Sequence, residues 1–404
     1  MASSSTKLLL VVLACASVTG CGALRRLAGN DTVNLEKADV KSMSVDLRRQ
    51  QKTICPRAPV QMAIFMEVVL DGDKDKKQVE TWAGRGSVNK NDKLEFTEFA
   101  FHSEQGSFDQ DGWFSPNPDV LVTAGKEFEI KSVFRKRPDK FSMNTTYKPD
   151  YECIKSGGGG GASGSAGSAG GDGEAGRYGQ SGSSSQGGGD GGDGSPGSNG
   201  GRGTDGAPGP HLTAYATMVK TPFYDRLVAI SIDGDAHDFL LVPEGAAITL
   251  HASGGAGGSG GRGGHGGSGG SGGSGNPGGN GGRGAAGGSG GKGGNGGPGG
   301  QIDLVYDTRF PDLRGQIHLD VAGGAAGSAG PGGNGGSAGR GGSGITPSGS
   351  SGQTPPPAPA GKDGSGGAQG AGGAPGRSGP DGRATASPGD VKSKLSGRGE
   401  VTVL

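Results

Sequence analysis

The sequence predicts an all-β protein in two parts. The first is a β-sandwich, with an immunoglobulin-like arrangement as one option. The second is a β-sheet base carrying six antiparallel polyglycine-II helices as three hairpins. Three observations lead there. From 254 to 301 every third position is glycine, sixteen of sixteen, and the next position is glycine in fourteen of sixteen. Nine of twelve Phe and both Trp lie between Cys55 and Cys153. The glycine-rich runs break near their middles at turn-like residues, and short strand-like segments separate them.

A strict period of three matches a helix with three residues per turn, rising about 3.1 Å per residue. One face of it is then bare backbone. Such a helix has no internal hydrogen bonds, so its amides and carbonyls point sideways and need partners wherever water is excluded. Glycine loses more conformational freedom on folding than any other residue. A neighbouring glycine-rich helix is the natural partner, because only residues without Cβ let two backbones approach that closely.

Taken in order, the chain opens with Lys7 and the apolar run Leu8–Ala14, too short to span a bilayer as a mature helix. Val18-Thr19-Gly20-Cys21 follows it and resembles the lipobox of bacterial lipoproteins. That resemblance implies a signal peptide over 1–20, cleavage before Cys21 and acylation of that cysteine. Val12-Leu13-Ala14-Cys15 is the weaker competitor, and an ordinary secretory signal is the alternative. Residues 21–54 read as a polar tether with one short helix near Asp39–Gln51. After cleavage and acylation, Cys55 and Cys153 remain, and an exported protein sits where disulfides persist.

Residues 55–153 form the expected sandwich domain. Val60–Leu70 reads as a strand ending in Asp71-Gly72-Asp73. Lys93–Phe101 alternates, with Leu94, Phe96, Phe99 and Phe101 inward and a bulge between Phe96 and Phe99. Asp119–Thr123 and Glu127–Phe134 follow as strands split by Ala124-Gly125.

Residues 156–404 form the glycine-rich domain. Its runs are 158–209, 254–301, 323–344 and 361–382, with strand segments in 211–253, 302–322 and 387–404. Ser184 and Asn276-Pro277 sit at the midpoints of the first two runs, and a proline-rich loop, 345–360, joins the last two. Each arm spans about 70 Å at 3.1 Å per residue. The run richest in Gly-Gly pairs, 254–301, is expected to lie centrally. Ile302–Tyr306 and Gln316–Val321 alternate cleanly, and the short link Phe310–Arg314 would make them neighbours.

The Gly-Gly-x arms resemble the polyglycine-II bundles of snow-flea antifreeze proteins, which implies six antiparallel helices in two layers. They are also similar to the repeats of mycobacterial glycine-rich PE-type proteins and to glycine-rich phage adhesin tips. The composition matches collagen-like repeat lipoproteins too. A true triple helix needs long uninterrupted Gly-x-y runs in three chains. Here proline is sparse in the triplets, the phase breaks four times and strand segments interrupt.

The formal net charge of zero argues against binding a polyanion, so no nucleic acid is expected. The Gly-x-Gly-x-x-Gly matches lack a strand–turn–helix setting. Asp71–Asp75 and Asp233–Asp235 do not complete a calcium loop, and Gly188–Asp193 lacks the apolar residue a calcium nonapeptide requires. The histidines are scattered and no nucleophile–base pair stands out. The expectation is a non-enzymatic cell-envelope lipoprotein, held by its lipid to the outer membrane and exposed to the periplasm or the cell surface, without cofactor or metal. It would be structural or adhesive, binding an unknown surface or protein ligand through the hairpin tips at Ser184, Asn276, Pro277 and Pro356. The alternative is a binding or accessory module in 55–153, with the glycine region a disordered spacer or a trimeric collagen-like stalk.

Overall fold

Strand Val60–Val69 (β3) is the longest apolar stretch of the N-terminal part, with five consecutive buried residues from Met62 to Met66. It recruits its neighbours accordingly. The computed structural model describes residues 32–81, 93–349 and 355–404, and over these the chain is an all-β fold with two single-turn helices. β1 (Asp39–Leu47) and β4 (Lys77–Thr81) pair antiparallel with β3, β5 (Lys93–Leu94) adds beside β4, and β8 (Trp113–Pro116) joins β3 to β7 (Gly106–Phe108). A second sheet runs β2 (Thr53–Ile54), β10 (Ser142–Pro149), β9 (Phe128–Phe134), β6 (Phe99–His102). The two sheets share buried clusters, in which Ile64, Met66 and Val68 meet Phe99 and Phe134, and Met62 and Phe114 meet Phe128 and Ile130.

Several sequence expectations are corrected here. Asp39–Gln51 is not helical: Asp39–Leu47 is a strand, followed by the 3-10 turn Arg48–Gln50. Residues 32–54 are not a tether either, since Leu35, Ala38 and Val40 are buried with the sheet. Tertiary pairing with β3 overrides the weak local pattern. The break after Phe96 is a 3-10 turn, Phe96–Glu98, rather than a bulge. Val120–Val122 is a 3-10 turn capped by Asp119, not a strand.

The glycine-rich part is built on two facing sheets. β12 (His211–Thr221), β13 (Tyr224–Gly234) and β14 (Asp238–Pro243) form an antiparallel meander. β16 (Gln301–Asp307) and β18 (Arg383–Gly389) extend it from β12 as parallel strands, and β19 (Thr402–Val403) pairs with the far end of β12. The other sheet is β11 (Ser156–Gly160), β15 (Ile248–Ser253), β17 (Ile317–Asp320), all parallel. Ile248, Leu250 and Ile317 from one sheet share a buried cluster with Leu212, Ile302 and Leu304 from the other. Val120, Ala124, Tyr151 and Ile154 belong to the same cluster, so the N-terminal part and the base share a core. Ile302–Tyr306 and Gln316–Val321 are therefore not paired neighbours. The link between them, through α1 (Leu313–Gln316), crosses from one sheet to the other.

Six glycine arms leave this base: arm 1 (161–182), arm 2 (187–209), arm 3 (254–275), arm 4 (278–300), arm 5 (323–344) and arm 6 (361–382). Strands β11, β15 and β17 lead into arms 1, 3 and 5, while arms 2, 4 and 6 lead into β12, β16 and β18. Hydrogen bonds arrange the arms as two rows of three. Within a row the arms are parallel: Gly161 N–H donates to Ser253 O and Gly182 to Ser274 O, joining arms 1 and 3. Between rows they are antiparallel: Gly189 donates to Gln180 O and Ala207 to Ala162 O. Arm 3 bonds to arms 1, 2, 4 and 5, and arm 4 to arms 2, 3, 5 and 6. Arms 1 and 6 bond to two arms each.

Close approach explains the spacing of glycine. A Cβ at Gly270 in arm 3 would lie 2.0 Å from Arg177 O, and one at Gly269 would lie 2.1 Å from Gly282 O. In arm 1, by contrast, a Cβ at Gly171 meets only Ser198 Oγ, 3.7 Å away. Arms with four neighbours need two glycines per triplet, and arms with two neighbours need one.

Candidate functional site

The first two tips meet at the end of the bundle remote from the base. Ser183 and Gln186 close the first turn by exchanging backbone hydrogen bonds. Asn276 reaches across to it, donating from its backbone N–H to Gln186 O at 3.0 Å and from Nδ2 to Ser184 O at 3.1 Å. The peptide bond Asn276–Pro277 is cis. The stem of the third loop is held nearby, since Ile345 N–H donates to Gly275 O at 2.7 Å and Gly278 N–H to Pro359 O at 2.9 Å. Ala358 N–H donates to Thr346 Oγ1. Ser184, Asn276 and Pro277 are thus brought together. Pro356 lies in the exposed part of the third loop. Residues 183–186, 276–277, 344–349 and 355–360 carry hydroxyl, amide and proline side chains and no charge. Such a surface can hydrogen-bond a ligand but offers no acid or base.

Cys55 and Cys153, 98 positions apart along the chain, form a disulfide where the N-terminal part meets the base. Cys21 lies outside the described residues. Beside the disulfide, Arg57 makes a bidentate pair with Asp238 and donates to Phe239 O. Tyr224 Oη donates to Pro149 O at 2.7 Å across the same junction.

Sequence reasoning missed two features, one in the arms and one in the base. In arms 3 and 4 the third amide of each triplet has no backbone acceptor in a neighbouring arm, and Asp or Asn side chains cap several of these. Asp190, Asp193, Asn199 and Asp205 in arm 2 accept from the N–H groups of Asn280, Arg283, Ser289 and Asn295 in arm 4, always 90 residues on. Asn280 and Asn295 in turn accept from Lys362 and Arg377 in arm 6, 82 residues on. The signal available in the sequence was Asx recurring at the third place of the arm 2 triplets, at 190, 193, 199 and 205. The Asn295 amide, with Arg202 alongside, holds the Asp205 carboxyl below its usual range. The second missed feature is Asp307. Burial there opposes ionisation, but hydrogen bonds from Arg309 and Thr217 outweigh it and bring the carboxyl down to about 2.

No family model, curated protein or solved structure matches this chain. Among the described residues no cluster of His, Cys, Asp or Glu could hold a metal ion, and no helix is long and apolar enough to cross a membrane.

Proposed function

We propose that this is a non-enzymatic cell-envelope lipoprotein that presents a binding surface at the end of a stiff glycine-rich bundle. In this reading the arms are polyglycine-II helices. The period of three in both the sequence and the inter-arm hydrogen bonds supports that assignment. The N-terminal part is read as a sandwich of the immunoglobulin-like class, supported by its two sheets with shared buried clusters. A lipid on Cys21 holds the protein to the membrane.

One observation carries the reading. Asn276 ties the first two tips into a single uncharged surface at the far end of arms that run about 70 Å from the base. Loops on rigid supports are where recognition concentrates. Against a disordered spacer or a trimeric collagen-like stalk stand the hydrogen bonds that join all six arms within one chain.

The test replaces 183–186 and 276–277 with plain Gly-Ser turns in the otherwise intact chain. Adhesion of cells or of purified protein to its surface should disappear while thermal unfolding is retained. Unchanged adhesion would sink the tip reading. Replacing Cys21 with Ser should release the protein from the membrane fraction, and retention there would overturn the anchor.

A further inference from the structure

A cleft of about 760 Å³ opens where the N-terminal part meets the base, separate from the tips. Its size is that of small-molecule sites, about 300–1,000 Å³, and such sites favour domain junctions. Pro118 and Leu121 supply apolar wall from one side, Ile232 and Phe239 from the other.

The charges lining it are unequal in their partners. Asp238 is paired with Arg57. Asp119 Oδ1 accepts from the Leu121 amide at 3.0 Å. Asp233 Oδ1 lies 3.4 Å from His237 Nδ1. Arg398 differs: its guanidinium sits 5.9 Å from the centre of the Phe239 ring, half-buried, and its side chain has no ion pair or hydrogen bond among the described residues. An arginine stays charged at any accessible pH, and partial burial without a counter-ion is costly. A guanidinium held over a ring at this distance keeps its N–H groups free for a planar, bidentate acceptor.

We propose that this cleft binds a small molecule bearing one carboxylate on an apolar body. The carboxylate pairs with Arg398, and the body lies on Leu121, Ile232 and Phe239. One unpaired cation selects a monoanion over a dianion. Asp238 is neutralised by Arg57, while Asp119 and Asp233 keep open acceptor positions, so the ligand's carboxylate must sit at Arg398 and away from both. The proposal does not rest on the tip reading.

The probes are hexanoate and its neutral isostere hexanamide, followed by ligand-observed NMR on the full chain. Hexanoate should bind, and hexanamide should bind at least about tenfold more weakly. Arg398→Gln should weaken hexanoate by about the same factor while amide protection in 254–301 stays unchanged. Leu121→Trp fills the cleft and should abolish binding with Arg398 still present. Equal binding of the two probes, no binding of hexanoate at ~10 mM, or full hexanoate binding by a folded Arg398→Gln overturns the proposal. Should either variant unfold, the two-probe comparison on the parent chain decides.

Discussion

At Gly270 and Gly171 the same residue type answers to different surroundings. Gly270 faces Arg177 O so closely that a methyl must push the arms apart, whereas a methyl at Gly171 would make only an ordinary contact with Ser198 Oγ. Gly270→Ala should cost about 1–3 kcal/mol, the range for overpacked sites. Gly171→Ala should be neutral or stabilise by up to about 1 kcal/mol through the unfolded chain. Thermal unfolding of both variants checks this, and equal effects would remove the close-packing account. Ala285 sets a bound on the cost: it occupies a close-packed place in arm 4, and its amide still reaches Gly267 O at 2.9 Å. Asp307 makes a second prediction at this scale. Its native carboxyl sits at about 2 rather than 3.8, so its stabilisation is fully present above the ordinary value and is lost as pH falls through the native one. Asp307→Asn should cost about 2 kcal/mol near neutrality, with the difference from the parent vanishing toward pH 2 in chemical denaturation.

Within an arm, the unit of stability is the triplet. Arms 3 and 4 hydrogen-bond two amides per triplet to neighbouring arms, and the third amide is bonded only where a side chain caps it. Hydrogen exchange should therefore show a period of three, with glycine amides slow. Arg283 and Ser289, capped by Asp193 and Asn199, should be slower than Lys292, which has no such cap among the described residues. Asp205→Ala should accelerate exchange at Asn295 without changing the glycines beside it. Uniformly fast exchange through 254–301 would mean that the arms are not hydrogen-bonded in solution. The registers that place these caps are set in the base. Ser156 faces Thr249 across β11 and β15, and Asp172 caps His265 at the same separation, 93, far out along the arms. The offset of 82 between Asn280 and Lys362 likewise repeats that of Gln301 and Arg383 in β16 and β18. The strands align the arms, and the period of three propagates that alignment.

Over the whole molecule, the shared core, the disulfide and the Arg57–Asp238 pair join the N-terminal part to the base. The disulfide closes a long loop, which is worth about 4–5 kcal/mol in the chain-entropy account. The expected particle is elongated, with a stiff bundle of about 70 Å projecting from a β base. Small-angle scattering should return a rod-like profile whose longest dimension survives changes of salt. A swollen, featureless profile would be incompatible with the bundle and with any role that depends on its length.

The sequence by itself determined where glycine must stand, and with it the arms, their turns near Ser184 and Asn276, and the central place of 254–301. These follow from backbone periodicity and from sterics at Cβ, which are local properties. It also marked β3 and the pairing of Cys55 with Cys153, because a long apolar run and a remaining cysteine pair leave few choices. Only the tertiary structure decided that 39–47 is a strand, that β16 and β17 lie in different sheets, and that Arg398 meets Phe239 at a junction cleft. Each of these depends on a partner distant in the chain, and a weak local pattern takes whichever conformation that partner stabilises.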